Sequence, residues 1–288
     1  MKKAVIIGVG LIGGSFAKGL ARIYPDCTIL GIDHNTHHLD EAQRLGLIHA
    51  AGDVEDLTEA DMVVIAIPVN ATKERLPYIL ESVKDNALVF DAGSTKEAIC
   101  KVVAQHPKRR NYLACHPIAG TEFSGPAAAF DGLFKDKTNI ICEVEQTATP
   151  IQERALAFFQ ELGMHLRYMN PESHDKHIAY VSHLSHISSF MLGKTVIQEE
   201  ENERDIFDMA GSGFESTVRL AKSSPAMWTP IFEQNKGNVI KSLKEYIKNL
   251  ESFKKMMEDD DLEGIYEQMN NTNRIKEILK GIPHTKTN

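Results

Sequence analysis

Six short apolar runs, rich in β-branched residues, punctuate the first half of the chain. They are KAVIIGV (3–9), CTILGID (27–33), MVVIAIP (62–68), ALVFDAG (87–93), NYLACHP (111–117) and TNIICEV (138–144). Most are apolar without alternation, as strands need when both faces of a parallel sheet are covered. Amphipathic stretches lie between several of them, for example 70–83, 95–106 and 151–163. This alternation predicts an α/β fold with a doubly wound, mostly parallel sheet. The pattern changes near MNPESHDKH (169–177). Beyond it the spacing predicts helices over 173–198, 202–222, 225–257 and 260–280, with Pro225 in a first turn capped by Ser223 or Ser224. The polar run EEENER (199–204) reads as a solvated helix end, and the tail IPHTKTN as frayed. Two units follow, 1–171 and an all-helical 172–288.

The first run carries a chemical signal. It leads directly into GVGLIGGSFAKGL, where Gly8, Gly10 and Gly13 have G-x-G-x-x-G spacing at the opening of a helix. Gly8 suits a tight turn, Gly10 a close backbone approach to a pyrophosphate, and Gly13 close helix–strand packing. Leu11 and Ile12 complete the loop, whose helix N-terminus faces the phosphates. Asp33 ends the next run about 20 residues on, the place of the carboxylate that accepts from the ribose hydroxyls. A carboxylate there repels a 2′-phosphate, so the pattern predicts a Rossmann-type unit that takes NAD rather than NADP.

Ligands of such sheets lie outside the carboxyl ends of the strands. Pro68, Ser94 and His116 stand at those ends, so Ser94 and His116 are placed to meet at the nicotinamide. A histidine there can take the proton of a substrate hydroxyl, and an ordinary imidazole pKa of about 6.5 suits neutral pH. It opens HPIAGTEFSGP, a loop of small residues that lets backbone approach a ligand. A second cluster, SHDKHIAYVSHLSH, holds His174, His177, His183 and His186. On a continuous helix at about 100° per residue the first two face nearly opposite to the last two, which argues against one shared metal ion. His183 and His186 share a face suited to a polar or anionic ligand. Later, Arg219 offers a fork for a carboxylate, and Trp228, the single tryptophan, is either core or pocket wall.

Net charge is −8, which argues against a nucleic-acid partner. No run approaches the roughly 18 apolar residues of a membrane span, and no signal peptide is evident. The four scattered cysteines read as buried reduced thiols of a cytoplasmic protein.

GVGLIGGS, DAGSTK (91–96), HPIAGTEFSGP, SHLSH (182–186) and GFESTVRLAKSSPAMW, in that order, resemble the prephenate/arogenate dehydrogenase family of tyrosine biosynthesis. The resemblance spans roughly 5–250. It implies a dinucleotide-binding domain followed by a helical domain that forms homodimers, which the high apolar content of the second half also suggests. It implies that His116 is catalytic at the ring hydroxyl and that Ser94 assists there. His186 would hold the substrate with support from His183, Arg219 would bind a substrate carboxylate, and Trp228 would line the site. The implied reaction is NAD-dependent oxidative decarboxylation of prephenate to 4-hydroxyphenylpyruvate. One departure matters: some relatives carry an aspartate three residues before the arginine, where this chain has Ser216 beside Glu215. Arogenate is therefore the competing substrate. Another hydroxyacid or imino-acid dehydrogenase, or a non-catalytic NAD sensor, fits the retained Ser94, His116, His186 and Arg219 less well.

Overall fold

The computed structural model describes residues 1–200 and 205–280. Residues 201–204 of the polar run and the whole tail 282–288 lie outside the described residues. Eight strands form one sheet: β1 (Lys3–Ile7), β2 (Thr28–Ile32), β3 (Ala50–Ala51), β4 (Met62–Ile65), β5 (Leu88–Asp91), β6 (Tyr112–Pro117), β7 (Thr138–Cys142) and β8 (His165–Met169). Their order is β3-β2-β1-β4-β5-β6-β7-β8. All neighbours pair in parallel except β6 and β7, which are antiparallel. The doubly wound, mostly parallel sheet read from the apolar runs is present.

Helices α1 (Leu11–Ile23), α2 (Thr36–Arg44), α3 (Val69–Ser82), α4 (Glu97–Val103) and α5 (Thr149–Glu161) connect most of the strands. One face of the sheet packs an aromatic cluster, with Phe16 stacked on Phe134 at 4.1 Å and Phe90 edge-on to Phe159 at 5.1 Å. The other buries Val5, Val63, Val89, Leu76 and Ile99. Fully buried β1, β4 and β5 explain their unbroken apolar runs. Two strands escaped the sequence reading. β3 is two alanines long, and β8 is an edge strand whose His165 and Arg167 interrupt the apolar pattern, as charged edges commonly do.

After β8 every regular element among the described residues is helical. α6 (Pro171–Ile178) is capped by Asn170, which accepts from Ser173 N. A π-turn over Ala179–His183 joins it to α7 (Leu184–Glu200). Of the helix read over 202–222, the described residues from 205 on form α8 (Ser212–Val218), with Gly211 at its N-cap position, and short 3₁₀ turns on either side of it. The helix read over 225–257 divides into α9 (Pro225–Gln234) and α10 (Lys236–Glu258); Ser224 stands at the N-cap position of α9, but its side chain makes no capping bond, which corrects the expected serine cap. The break falls at Asn235, whose side chain is tied to α6. That over 260–280 divides into α11 (Leu262–Thr272) and α12 (Ile275–Lys280). Trp228 and Ile231 of α9 pack into the face buried by α3, which seats the helical half on the sheet.

Candidate active site

The β1–α1 turn meets the steric demands of a phosphate cradle glycine by glycine. Gly8 has φ +90°, and a Cβ there would lie 2.4 Å from the Ala66 carbonyl oxygen. A Cβ on Gly13 would lie 1.9 Å from the Gly8 carbonyl oxygen, so helix and strand touch through it. Gly10 is different: a Cβ there would meet nothing nearer than Gly125 N at 4.0 Å. It is the N-cap of α1 and brings no capping side chain. The space that glycine leaves, at an uncapped helix N-terminus, fits a pyrophosphate. Leu11 is buried and opens α1, Ile12 packs on the core, and Pro68 stands at the N-cap position of α3.

Asp33, just past β2, accepts from Val9 N at 3.1 Å and Asn35 N at 2.9 Å. His34 and His38 approach its two oxygens. The carboxylate has four lone-pair directions, so its tie to the glycine turn still leaves capacity for ribose hydroxyls.

The antiparallel turn from β6 to β7 accounts for the loop after His116. A parallel neighbour would require a crossover to the far edge. Here residues 118–137 stay at the carboxyl edge, and Phe130 N donates to Ser15 Oγ on α1. Gly125, with φ +83°, carries the loop past Gly10. The loop thus runs next to the glycine turn and α1 as well as connecting the two strands.

Beneath this edge lies a buried ionic cluster. Asp91, at the end of β5, accepts from Lys96 Nζ, Tyr112 Oη, Gly93 N and Cys115 N. Lys96 Nζ also donates to the Cys115 carbonyl at 2.6 Å. Burial alone would lower the Lys96 pKa, but Asp91 more than offsets it and raises it. The cluster locks the loop bearing half-buried Ser94 to the strand bearing His116. Sequence reading passed over Lys96 because lysines are rarely core residues.

His116 is buried, and burial pushes its pKa well below the ordinary imidazole value, with His174, Lys96 and His183 acting in the same direction. This corrects the ordinary value expected from sequence: the ring is neutral at pH 7 and fit to accept a proton. Its Nδ1 lies 2.8 Å from His174 Nε2, and His174 Nδ1 lies 2.8 Å from Asp175 Oδ1.

The π-turn changes the phase of the helix carrying the histidines. On a regular helix His183 would face away from His174. The wider turn brings it round, so that His183 acts electrostatically on His116 and His174 acts on His183. Burial takes His183 down to about 4, against the pull of Asp175. Asn235 donates to the Asp175 carbonyl at 2.6 Å and lies 3.3 Å from His183 Nδ1. The amide therefore donates there too, which leaves the proton of His183 on Nε2, a buried atom with no partner. His177 is exposed and stands apart. Among the described residues no group of three or more His, Cys, Asp or Glu could hold a metal ion.

His186 stacks on Trp228, ring centroids 3.5 Å apart, and the Trp228 indole N–H is buried without a partner. Burial lowers the His186 pKa; its bond to the Ser182 carbonyl opposes this, and Arg219 adds to it. Arg219 is half exposed, 3.6 Å from Glu122 of the loop after His116. Glu215 is exposed, 4.0 Å from Lys222, and Ser216 bonds back to the Gly213 carbonyl. His174, Asp175 and Asn235 went unassigned in the sequence because only tertiary packing brings them to this edge: α6 docks on the loop after β5 through Lys96 N and Glu97 N, and Asn235 bonds back to α6.

Comparison with known proteins agrees with this geometry. The prephenate dehydrogenase from Bacillus subtilis is 29% identical over 98% of this chain and 77% of its own length. A crystal structure of prephenate dehydrogenase from A. aeolicus, in complex with hydroxyphenyl propionate and NAD+, superposes with a TM-score of 0.86 at 31% identity, covering 97% of this chain and 98% of that one. Synechocystis arogenate dehydrogenase gives a TM-score of 0.76 at 25% identity, covering 96% and 99%. Residues 16–168 match the family model of the prephenate dehydrogenase nucleotide-binding domain, and 170–271 that of its dimerization domain. Matched in both its sheet and its helices, the chain belongs to the prephenate dehydrogenase family.

Proposed function

We propose that this protein is an NAD-dependent prephenate dehydrogenase. The observation that carries the reading is a buried imidazole, His116, at the same sheet edge as the Gly8–Gly10–Gly13 cradle. Those glycines with Leu11, Ile12, Asp33 and Pro68 would hold the dinucleotide. NAD+, when bound, supplies the hydride acceptor at the substrate ring. His116 takes the proton of the ring hydroxyl, and Ser94 orients that hydroxyl. Arg219 exchanges Glu122 for a substrate carboxylate, while His183 and Trp228 supply N–H donors and His186, whose Nδ1–H is spent on the Ser182 carbonyl, offers Nε2 as an acceptor. Burial excludes water, which strengthens each of these contacts.

The unit boundary at 171/172 is part of the proposal, as is a homodimer paired through the helical half. Exposed Met209, Leu262 and Tyr266 favour a second copy. Light scattering should give twice the chain mass of 32.1 kDa; a monomer at micromolar concentration overturns the dimer. A cytoplasmic location is supported by four buried free thiols, and among the described residues no helix is long and apolar enough to cross a membrane. Small metabolites, not nucleic acid, are the ligands in this reading. NADH formation from prephenate and from arogenate, each with NAD+ and NADP+, tests it. The reading fails if prephenate with NAD+ yields none. Glu215, turned outward to Lys222, offers no partner for the amino group of arogenate, which favours the keto acid.

A further inference from the structure

The proton assignment along His116, His174 and Asp175 follows from one end. Asp175 Oδ1 accepts from Lys96 N at 2.8 Å, and Oδ2 accepts from Glu97 N at 3.0 Å. Both oxygens act as acceptors, so the third partner, His174 Nδ1, must be a donor. A neutral imidazole carries one N–H, which leaves His174 Nε2 bare. That bare nitrogen is 2.8 Å from His116 Nδ1, so His116 must donate from Nδ1. With His174 neutral, the only available ring lone pair of His116 is then on Nε2, the nitrogen turned away from the chain.

We infer that His174 and Asp175 are positioning residues that fix the reactive tautomer of His116 and share the positive charge it gains. The inference rests on the reaction proposed above. When the substrate O–H bond breaks, its electron pair stays on oxygen and the proton forms a new bond at His116 Nε2. The resulting imidazolium keeps its Nδ1–H aimed at His174 Nε2, and the charge is balanced through that ring by Asp175. Without the chain, the bare nitrogen of His116 would be free to sit at Nδ1, and Nε2–H would meet the hydroxyl as a donor. All three side chains are buried, so water cannot replace a missing link. The backbone bonds from Lys96 and Glu97 tie Asp175 to the same loop that carries Ser94. The helical half therefore sets the protonation of a residue on the sheet.

Histidine-selective ¹⁵N NMR of the full-length protein without ligands reads the tautomer directly, with His116 identified by its loss in His116→Asn. Wild type should show His116 protonated at Nδ1 and bare at Nε2. His174→Gln, which keeps an acceptor near the Nε2 position, should preserve this. His174→Phe should not, and should lower kcat by on the order of 10²-fold while KM for substrate and dinucleotide stays within about twofold. The Gln variant should recover most of that loss. A wild-type Nε2–H tautomer overturns the inference, as does an unchanged tautomer or kcat in a folded His174→Phe protein. If prephenate is not turned over, the proposed function fails, and the tautomer measurement still decides the chain on its own.

Discussion

Strands β1, β4 and β5 bury Val5, Ile6, Val63, Val64, Val89 and Phe90 completely, whereas α7 and α11 leave Met191, Ile197, Leu262, Tyr266 and Met269 more than half exposed. Buried polar atoms without partners occur in both halves, at Arg109 Nε and Asn139 of β7 as well as at His183 Nε2 and Trp228 Nε1. What sets the sheet apart is the ionic cluster of Asp91, Lys96 and Tyr112, whose members satisfy one another. In the function proposed above, a second chain covers the apolar side of the helices and substrate meets the unpaired N–H groups of His183 and Trp228. On that reading the proposed base, His116, is fixed next to the ionic cluster of the sheet, and the helical half supplies the donors that substrate engages.

The largest test of this contrast removes a side chain from the sheet half. His116→Asn should fold and bind dinucleotide normally, yet lose about 10²–10⁴ in kcat. In wild type the acid limb of kcat/KM should lie below the ordinary imidazole range. The sign follows from burial: the charged form is disfavoured, so a lower pH is needed to protonate the base and stop the reaction. A limb centred at or above 6.5 would mean that the ring is solvated during turnover.

Next in size is a change in the helical half. Arg219→Ala should chiefly raise KM for prephenate, by about 10–150-fold, the range expected for loss of one charge-assisted hydrogen bond. Glu122→Gln should act the other way and lower KM, because the arginine no longer leaves an ion pair 3.6 Å away. The expected change is a few-fold at most for so exposed a pair. Equal effects of Arg219→Ala on kcat and KM would place the arginine in the chemical step instead.

These residues also show what the chain makes legible before folding. Gly8, Gly10 and Gly13 are readable because each meets a steric demand set by its immediate neighbours. His116 is readable because a strand end in a parallel sheet fixes an edge. The approach of His183 to His174 was not, since helical periodicity assumes 3.6 residues per turn and the π-turn at Ala179–His183 breaks that assumption, and the contact of His174 with His116 is made by tertiary packing of α6. The break at Asn235 is tertiary too: its amide bonds to Asp175 and His183 rather than serving the helix. β8 was hidden by its edge position, where His165 and Arg167 face outward. What escaped the sequence is thus what the two halves impose on each other.

The smallest expected effect compares ion pairs in the two halves. Asp61, between β1 and β4, accepts from Lys2 N at 2.6 Å and Lys84 Nζ at 2.5 Å. Burial would raise its pKa, but the bonds from Lys84 and from Lys2 and Lys3 N outweigh that and lower it to about 2. The unfolded carboxyl binds its proton near 3.8, so the stabilisation is complete above that value and is lost as pH falls through about 2. At about 1.4 kcal/mol per pKa unit the shift corresponds to about 2.5 kcal/mol, and solvent screening of this partly exposed carboxylate reduces the expected cost of Asp61→Asn at pH 7 to about 1–2 kcal/mol. The exposed pair Lys255–Asp259 on α10, at a similar 2.9 Å, should cost under about 0.5 kcal/mol when Lys255 is replaced by alanine. Urea unfolding at pH 7 and pH 3 separates the two. The Asp61→Asn deficit should shrink at the lower pH, and the Lys255→Ala curve should track wild type at both. A deficit for Asp61→Asn that stays constant with pH would show that the aspartate acts by packing and not by charge.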